Sequence, residues 1–170
     1  MISTEPAGVQ ARLTRGCLAM VRVAVALMWI QNVSWKVPAD DFKALRHFTQ
    51  FAVDEPVWAP FAWLVENLVL PNMTLFGWMT LLVEAGLGAF LLVGLATRLW
   101  ALIGIGQSLA ITLSVLNAPH EWHWAYYLMI VVHLALFATA AGRAYGVDGV
   151  LRPAWLASSH PLARLMVRAS

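Results

Sequence analysis

The chain has 170 residues, of which 61% are hydrophobic and 12% charged, with a formal net charge of +2. Soluble domains carry about a quarter charged residues and about half apolar ones, so this composition excludes an ordinary soluble domain and points to the lipid membrane as surroundings. The basic residues sit at the ends of apolar runs and form no cluster, which argues against nucleic acid as a partner.

The single cysteine, Cys17, excludes an internal disulfide, a CxxC redox pair and a cysteine zinc site. The preceding Arg15 and the lack of an apolar run before it argue against a lipoprotein cleavage site. The first apolar stretch carries Arg22 and no A-x-A site follows, so it is expected to remain as a helix rather than be cleaved as a signal peptide. That first span is expected at residues 17–35.

The next segment, 36–73, is not a plain loop. Pro38 and Asp40 read as a helix start, after which Phe42, Leu45, Phe48 and Ala52 recur at helical spacing. Pro56 breaks that helix. A second apolar stretch, 57–70, ends at Pro71 and is too short to span, so it is expected to lie in the interface or dip in as a re-entrant helix. Together the two pieces form an amphipathic cap over the outer side of the bundle.

Three more spans follow at 74–96, 99–117 and 124–142, none containing proline and all near the roughly 20 residues that cross a hydrocarbon core. Backbone groups in lipid must be satisfied internally, so helices are the expected form. Arg12 and Arg15 precede the first span, Arg98 separates the second and third, and Arg143, Arg152, Arg164 and Arg168 follow the fourth. By the positive-inside rule both termini face the cytoplasm. The reading is an all-α integral membrane protein: a four-transmembrane-helix bundle, N-in and C-in, over residues 1–152. An interfacial cytoplasmic tail, 153–170, follows it.

Ionisable groups at membrane depth are costly and are functional candidates by default. Here they are Arg22, Glu84 and His133, with Gln107 as a neutral companion. Counted from the outer helix ends, Glu84, Gln107 and His133 all lie about 15 Å down, and Arg22 about one turn deeper. The expectation is a buried Arg22–Glu84 pair with His133 and Gln107 in hydrogen-bonding reach, able to hold a proton or to bind a quinone carbonyl. The alternative is that these groups only join helices. Met28, Gln31, Asn32 and Trp35 form a second stripe which, with His120, His123, Tyr126 and Tyr127, is expected to line an outer pocket or merely to decorate the interface. The His120/His123 pair lacks a third ligand, so no metal site is expected. Ala85/Ala89 and Gly104/Ser108 have the small-xxx-small spacing of close helix contacts.

Glu84-Ala85-Gly86-Leu87-Gly88, followed by Leu91-Leu92-Val93-Gly94-Leu95-Ala96-Thr97-Arg98, resembles the DoxX/DoxD family of small bacterial membrane proteins. Arg22 and the ending Gly142-Arg143 with Val147-Asp148 extend the resemblance over about residues 15–152. Where the family's first helix ends in a Gly-x-x-Lys-like stretch, this chain has Gln31-Asn32-Val33-Ser34-Trp35-Lys36, with Lys36 standing in for the basic residue. The resemblance implies a four-helix bundle in a bacterial plasma membrane. It also implies similarity to the membrane subunit of a thiosulfate:quinone oxidoreductase, with quinone as cofactor and other protein subunits as partners. Under that reading Glu84, His133 and Arg22 carry the chemistry, and Gln107, Gln31 and Asn32 contact the cofactor. A non-catalytic anchor that docks an extracytoplasmic partner is the alternative. A small transporter or lipid-binding protein is a third reading, disfavoured by the absence of interrupted helices in the sequence.

Overall fold

In the computed structural model, which describes residues 7–170, every regular element is helical. Helix α1 (Ala7–Val33) has no proline and is 27 residues long, about 40 Å of rise. It starts well before the apolar run, and residues 8–15 stay exposed. After it a short 3-10 turn, Pro38–Asp40, leads into Asp41 and Phe42, both in the left-handed region with φ 56°. That strained turn is held by packing. Phe42 is 1% exposed and lies on Gly77, where any Cβ would collide with its ring, and it meets Trp78 edge to face at 5.8 Å.

Helix α2 (Lys43–Asp54) then crosses over the end of the bundle where α1 finishes, burying Ala52 and packing chiefly on α5. The next stretch departs from expectation. Helix α3 (Ala59–Leu64) does not stop at Pro71; it passes through a π-helical turn (Val65–Val69) and a 3-10 turn (Leu70–Asn72) directly into α4 (Met73–Val93). Residues 59–70 are therefore continuous with the second apolar helix and are not separated from it at Pro71. Proline lacks one donor and crowds the preceding turn, and a change of helical register absorbs both. Side chains supply local bonds around the break: Asn67 donates to Trp63 O and Asn72 to Leu68 O, both at 2.8 Å, and Arg46 of α2 donates to Leu70 O at 3.0 Å.

A tight turn with Gly94 (φ 70°) and Ala96 (φ 50°) joins α4 to α5 (Thr97–Val115), and α6 (His123–Thr139) follows. Helices α1, α4, α5 and α6 form the bundle, with α1 against α4 and α5 against α6 the broadest contacts. Gly88 permits the first of these, since a Cβ there would press on Ile30. The common core contains Val25, Ala26, Trp29, Leu87, Leu91 and Leu136. Large apolar side chains also cover the outside, among them Met20, Met28, Leu75, Leu82, Leu102 and Val131, as lipid-facing helices require. Gly8–Asp40, Ala59–Val93 and Thr97–Val115 are long and apolar enough to cross a membrane, while His123–Thr139 is apolar but shorter. The chain is a helical membrane protein.

At the opposite end from α2, helices α7 (Val147–Ala157) and α8 (Pro161–Ala169) pack on each other, and α8 also touches α5. The boundary expected at residue 152 falls inside α7, which begins immediately after the last bundle helix and its turn.

Candidate functional site

Near the C-terminal end of α1 the bundle encloses a charged centre. Lys36 Nζ lies 2.6 Å from Glu84 Oε2, with the two side chains 2% and 1% exposed. The lysine folds back along α1 and donates to Asn32 O at 2.9 Å, and its ammonium sits 4.0 Å from the Trp35 ring centroid. Glu84 also accepts from Asn32 Nδ2 at 3.2 Å and from Gln107 Nε2 at 3.1 Å. Asn32 Oδ1 in turn accepts from Trp35 Nε1 at 3.1 Å. Three helices, α1, α4 and α5, thus converge on one carboxylate. A buried charge is tolerable only when paired and hydrogen-bonded in this way.

One turn deeper along α1 a neutral pair follows. Trp29 Nε1 donates to His133 Nε2 at 2.9 Å, and His133 Nδ1 faces Met129 O at 2.7 Å. An indole N–H can only donate and a carbonyl can only accept, so the proton of His133 is on Nδ1 and Nε2 is the acceptor. The imidazole fits because Gly104 opposite has no side chain; a Cβ there would collide with Cδ2 of the ring. Both ring nitrogens are therefore engaged within the protein. On the same face of α5, the buried hydroxyl of Ser108 has no partner.

The structure joins Glu84 with Gln107, as the level of the residues suggested, adds Asn32 from the expected outer stripe, and leaves His133 outside that group. It overturns the Arg22–Glu84 pair. Arg22 is 2% exposed and donates through Nη1 to Ala141 O (2.8 Å) and Ala144 O (2.9 Å), and through Nη2 to Tyr145 O (3.4 Å). The reason is axial distance: Asn32, which touches Glu84, is ten residues above Arg22, about 15 Å along the helix and beyond the reach of an arginine. The helix ends do not share one level, because α3 and its turns carry the start of α4 on past the end of α1. The partner of Glu84 is Lys36, which reads in the sequence as an interfacial charge. Its signal is the i,i+4 spacing from Asn32, which puts both on one face.

The expected outer pocket also fails to assemble. Gln31, Met28, His120, His123 and Tyr127 are exposed. Tyr126 instead donates to Glu121 at 2.5 Å. The inward face of α1 carries Arg22, Val25, Ala26 and Trp29, with Lys36 just beyond its end, about one residue out of phase with the stripe through Met28 and Gln31.

Arg22 belongs to a second polar centre at the other end. Asp148 is fully buried and accepts from Ala96 N (2.7 Å) and Thr97 N (2.9 Å), so its carboxylate caps the start of α5. Its own N–H donates to Gly94 O at 2.9 Å. Gly142 has no room for a Cβ beside Thr97 Oγ1 and Asp148, nor Gly94 beside Arg22 and Gly146. Arg22, Gly94 with Thr97, and Gly142 with Asp148 come from three separate stretches of the chain and meet here as one latch. No group of three or more His, Cys, Asp or Glu suited to a metal occurs among the described residues.

Among protein families, the one described as "TQO small subunit DoxD" matches residues 17–165. No curated protein and no solved structure matches the chain.

Proposed function

Because the chain belongs to the DoxD family, described as the small subunit of a thiosulfate:quinone oxidoreductase, we propose that it is the membrane-embedded subunit of a quinone-linked oxidoreductase complex. It crosses a bacterial plasma membrane four times with both ends inside, and its partner subunits include a sulfur-compound-oxidising one on the outer face. The observation that carries this reading is the Lys36–Glu84 pair, an ion pair enclosed by apolar helices toward the proposed outer side. Ionisable groups in that setting are expensive and mark proton or ligand chemistry.

The donors around Glu84 suit a quinone carbonyl in kind. Asn32 and Gln107 present amide N–H groups and are only half-buried, while Lys36 and Glu84 can hold and release a proton. Quinone would supply the two-electron acceptor, and the chain would orient its head group at the Gln107 and Asn32 edge. His133 is excluded from proton transfer in this scheme, since Trp29 and Met129 engage both its nitrogens.

A second reading, a non-catalytic anchor, is favoured by the closure of the centre: Glu84 is fully buried and both its oxygens are engaged. Purification of the tagged chain from native membranes, with mass spectrometry of bound proteins and extracted lipids, tests the proposal. Stoichiometric quinone and a co-purifying redox protein support it; a redox partner without quinone leaves the anchor; neither one sinks both. Glu84→Gln then separates the two. Loss of quinone-linked turnover in an intact complex marks a functional carboxylate, and unchanged turnover marks an anchor.

A further inference from the structure

The latch end of the bundle holds more positive charge than it neutralises. Arg15, Arg98, Arg143 and Arg152 surround the turn that follows α6, and the acid among them, Asp148, already has both oxygens on the N–H groups of Ala96 and Thr97. Burial, then the like charges of Arg152 and Arg98, push the Arg143 guanidinium below the usual arginine range against the pull of Asp148. Arg143 Nη2 donates to Ser170 O at 2.9 Å, but its Nε is buried without an acceptor.

Arg143 and Arg15 form the two basic walls of a groove of about 320 Å³, whose remaining lining is Leu18, Thr139, Ala140 and Ala144. The Arg15 guanidinium is held there over the Tyr145 ring, 5.1 Å from its centroid. Between the two arginines the groove is mostly apolar, through Leu18, Ala140 and Ala144. A groove with arginines at the end of the spans and apolar residues along its floor matches a molecule that is anionic at one end and hydrocarbon at the other.

We propose that this groove binds one anionic phospholipid, its phosphate between Arg15 and Arg143 and an acyl chain along Leu18, Ala140 and Ala144. Basic pockets at the cytoplasmic ends of membrane helices recognise acidic head groups by this chemistry. The site stands independently of the redox reading, because it shares no residue with the Glu84 centre.

The test is native mass spectrometry of the full-length chain, delipidated in detergent and titrated with phosphatidylglycerol or phosphatidylcholine. One phosphatidylglycerol is expected to bind in preference to phosphatidylcholine, and Arg15→Gln or Arg143→Gln each to weaken it about fivefold. Arg164→Gln, on the exposed face of α8, leaves the affinity unchanged. Arg143 also anchors the α8 end, so Leu18→Trp provides a second variant that fills the groove without removing charge, and it is expected to expel the lipid while helical circular dichroism is retained. Equal binding of the two lipids, or an equal loss in Arg164→Gln, overturns the proposal in favour of diffuse surface attraction. Displacement of the lipid by inorganic phosphate at equal concentration overturns it in favour of a free-anion site.

Discussion

Lys36 and Glu84 come from opposite sides of the outer segment, 48 residues apart in sequence, and meet at 2.6 Å with almost no exposure. Each charge is tolerated because of the other. Glu84→Ala leaves a buried ammonium with only Asn32 O as hydrogen-bond acceptor, and breaking a buried pair from one side costs about 3–5 kcal/mol. The double variant Lys36→Met/Glu84→Leu removes both charges and is expected to be clearly more stable than Glu84→Ala. Thermal unfolding in detergent of both singles and the double measures the coupling; additive losses would falsify the pairing.

The latch makes a separate prediction. Asp148 caps two N–H groups at the start of α5 and does so fully buried. Asp148→Ala orphans both donors, and loss of a cap of this kind costs about 1–2 kcal/mol. Asp148→Asn keeps one acceptor and should lose less. If the two variants melt together, the carboxylate is not acting as a cap. Amide exchange at Thr97, measured in the same variants, should rise in the order wild type, Asn, Ala.

How much of this was legible in the sequence differs between the fold and the site. The four apolar helices follow from runs of about 20 residues that have no other way to satisfy their backbones in lipid. Depth along one helix was legible too, which is why Glu84 and Gln107 were expected at one level and are hydrogen-bonded. Rotation about the helix axis was not. Gln31 and Asn32 are adjacent, yet only Asn32 turns inward, because Trp29 and Lys36 set the buried face and an all-apolar helix gives little periodic signal. Offsets between helices were not legible either. Pro71 reads as an end, but the helix from Ala59 continues through it into α4, and a depth counted from residue 74 sets Arg22 rather than Lys36 beside Glu84.

Gly104 and His133 give a prediction about packing. The imidazole occupies the space a Cβ would need, so Gly104→Ala must push the ring off and loosen the Trp29 indole N–H from Nε2. Overpacking of this kind costs about 1–3 kcal/mol. His133→Leu removes the acceptor and leaves the Trp29 N–H buried and unpaired, with a loss of similar size. If the ring only receives Trp29 and fills the gap, quinone-linked turnover per folded molecule survives in His133→Gln. Turnover abolished in a fully folded His133→Gln protein would restore the histidine to the chemistry.

The last prediction concerns topology, where α6 is the weak link. Its 17 residues rise about 26 Å, close to the minimum for a hydrocarbon core. Glu55, after α2, and Ser159, between α7 and α8, are both exposed and are separated by the apolar helices α4, α5 and α6. If all three cross, the two positions lie on opposite sides of the membrane; if α6 does not, they lie on the same side. In a chain with Cys17→Ser, single cysteines at Glu55→Cys and Ser159→Cys are tested with a membrane-impermeant maleimide. Spheroplasts are expected to label only the first and inverted vesicles only the second. Labelling of both from one side would remove α6 from the spans, place the tail on the same face as α2 and separate Arg143 from Arg15, dissolving the groove. The positive-inside count argues against that arrangement, since Arg143, Arg152, Arg164 and Arg168 would then all sit outside.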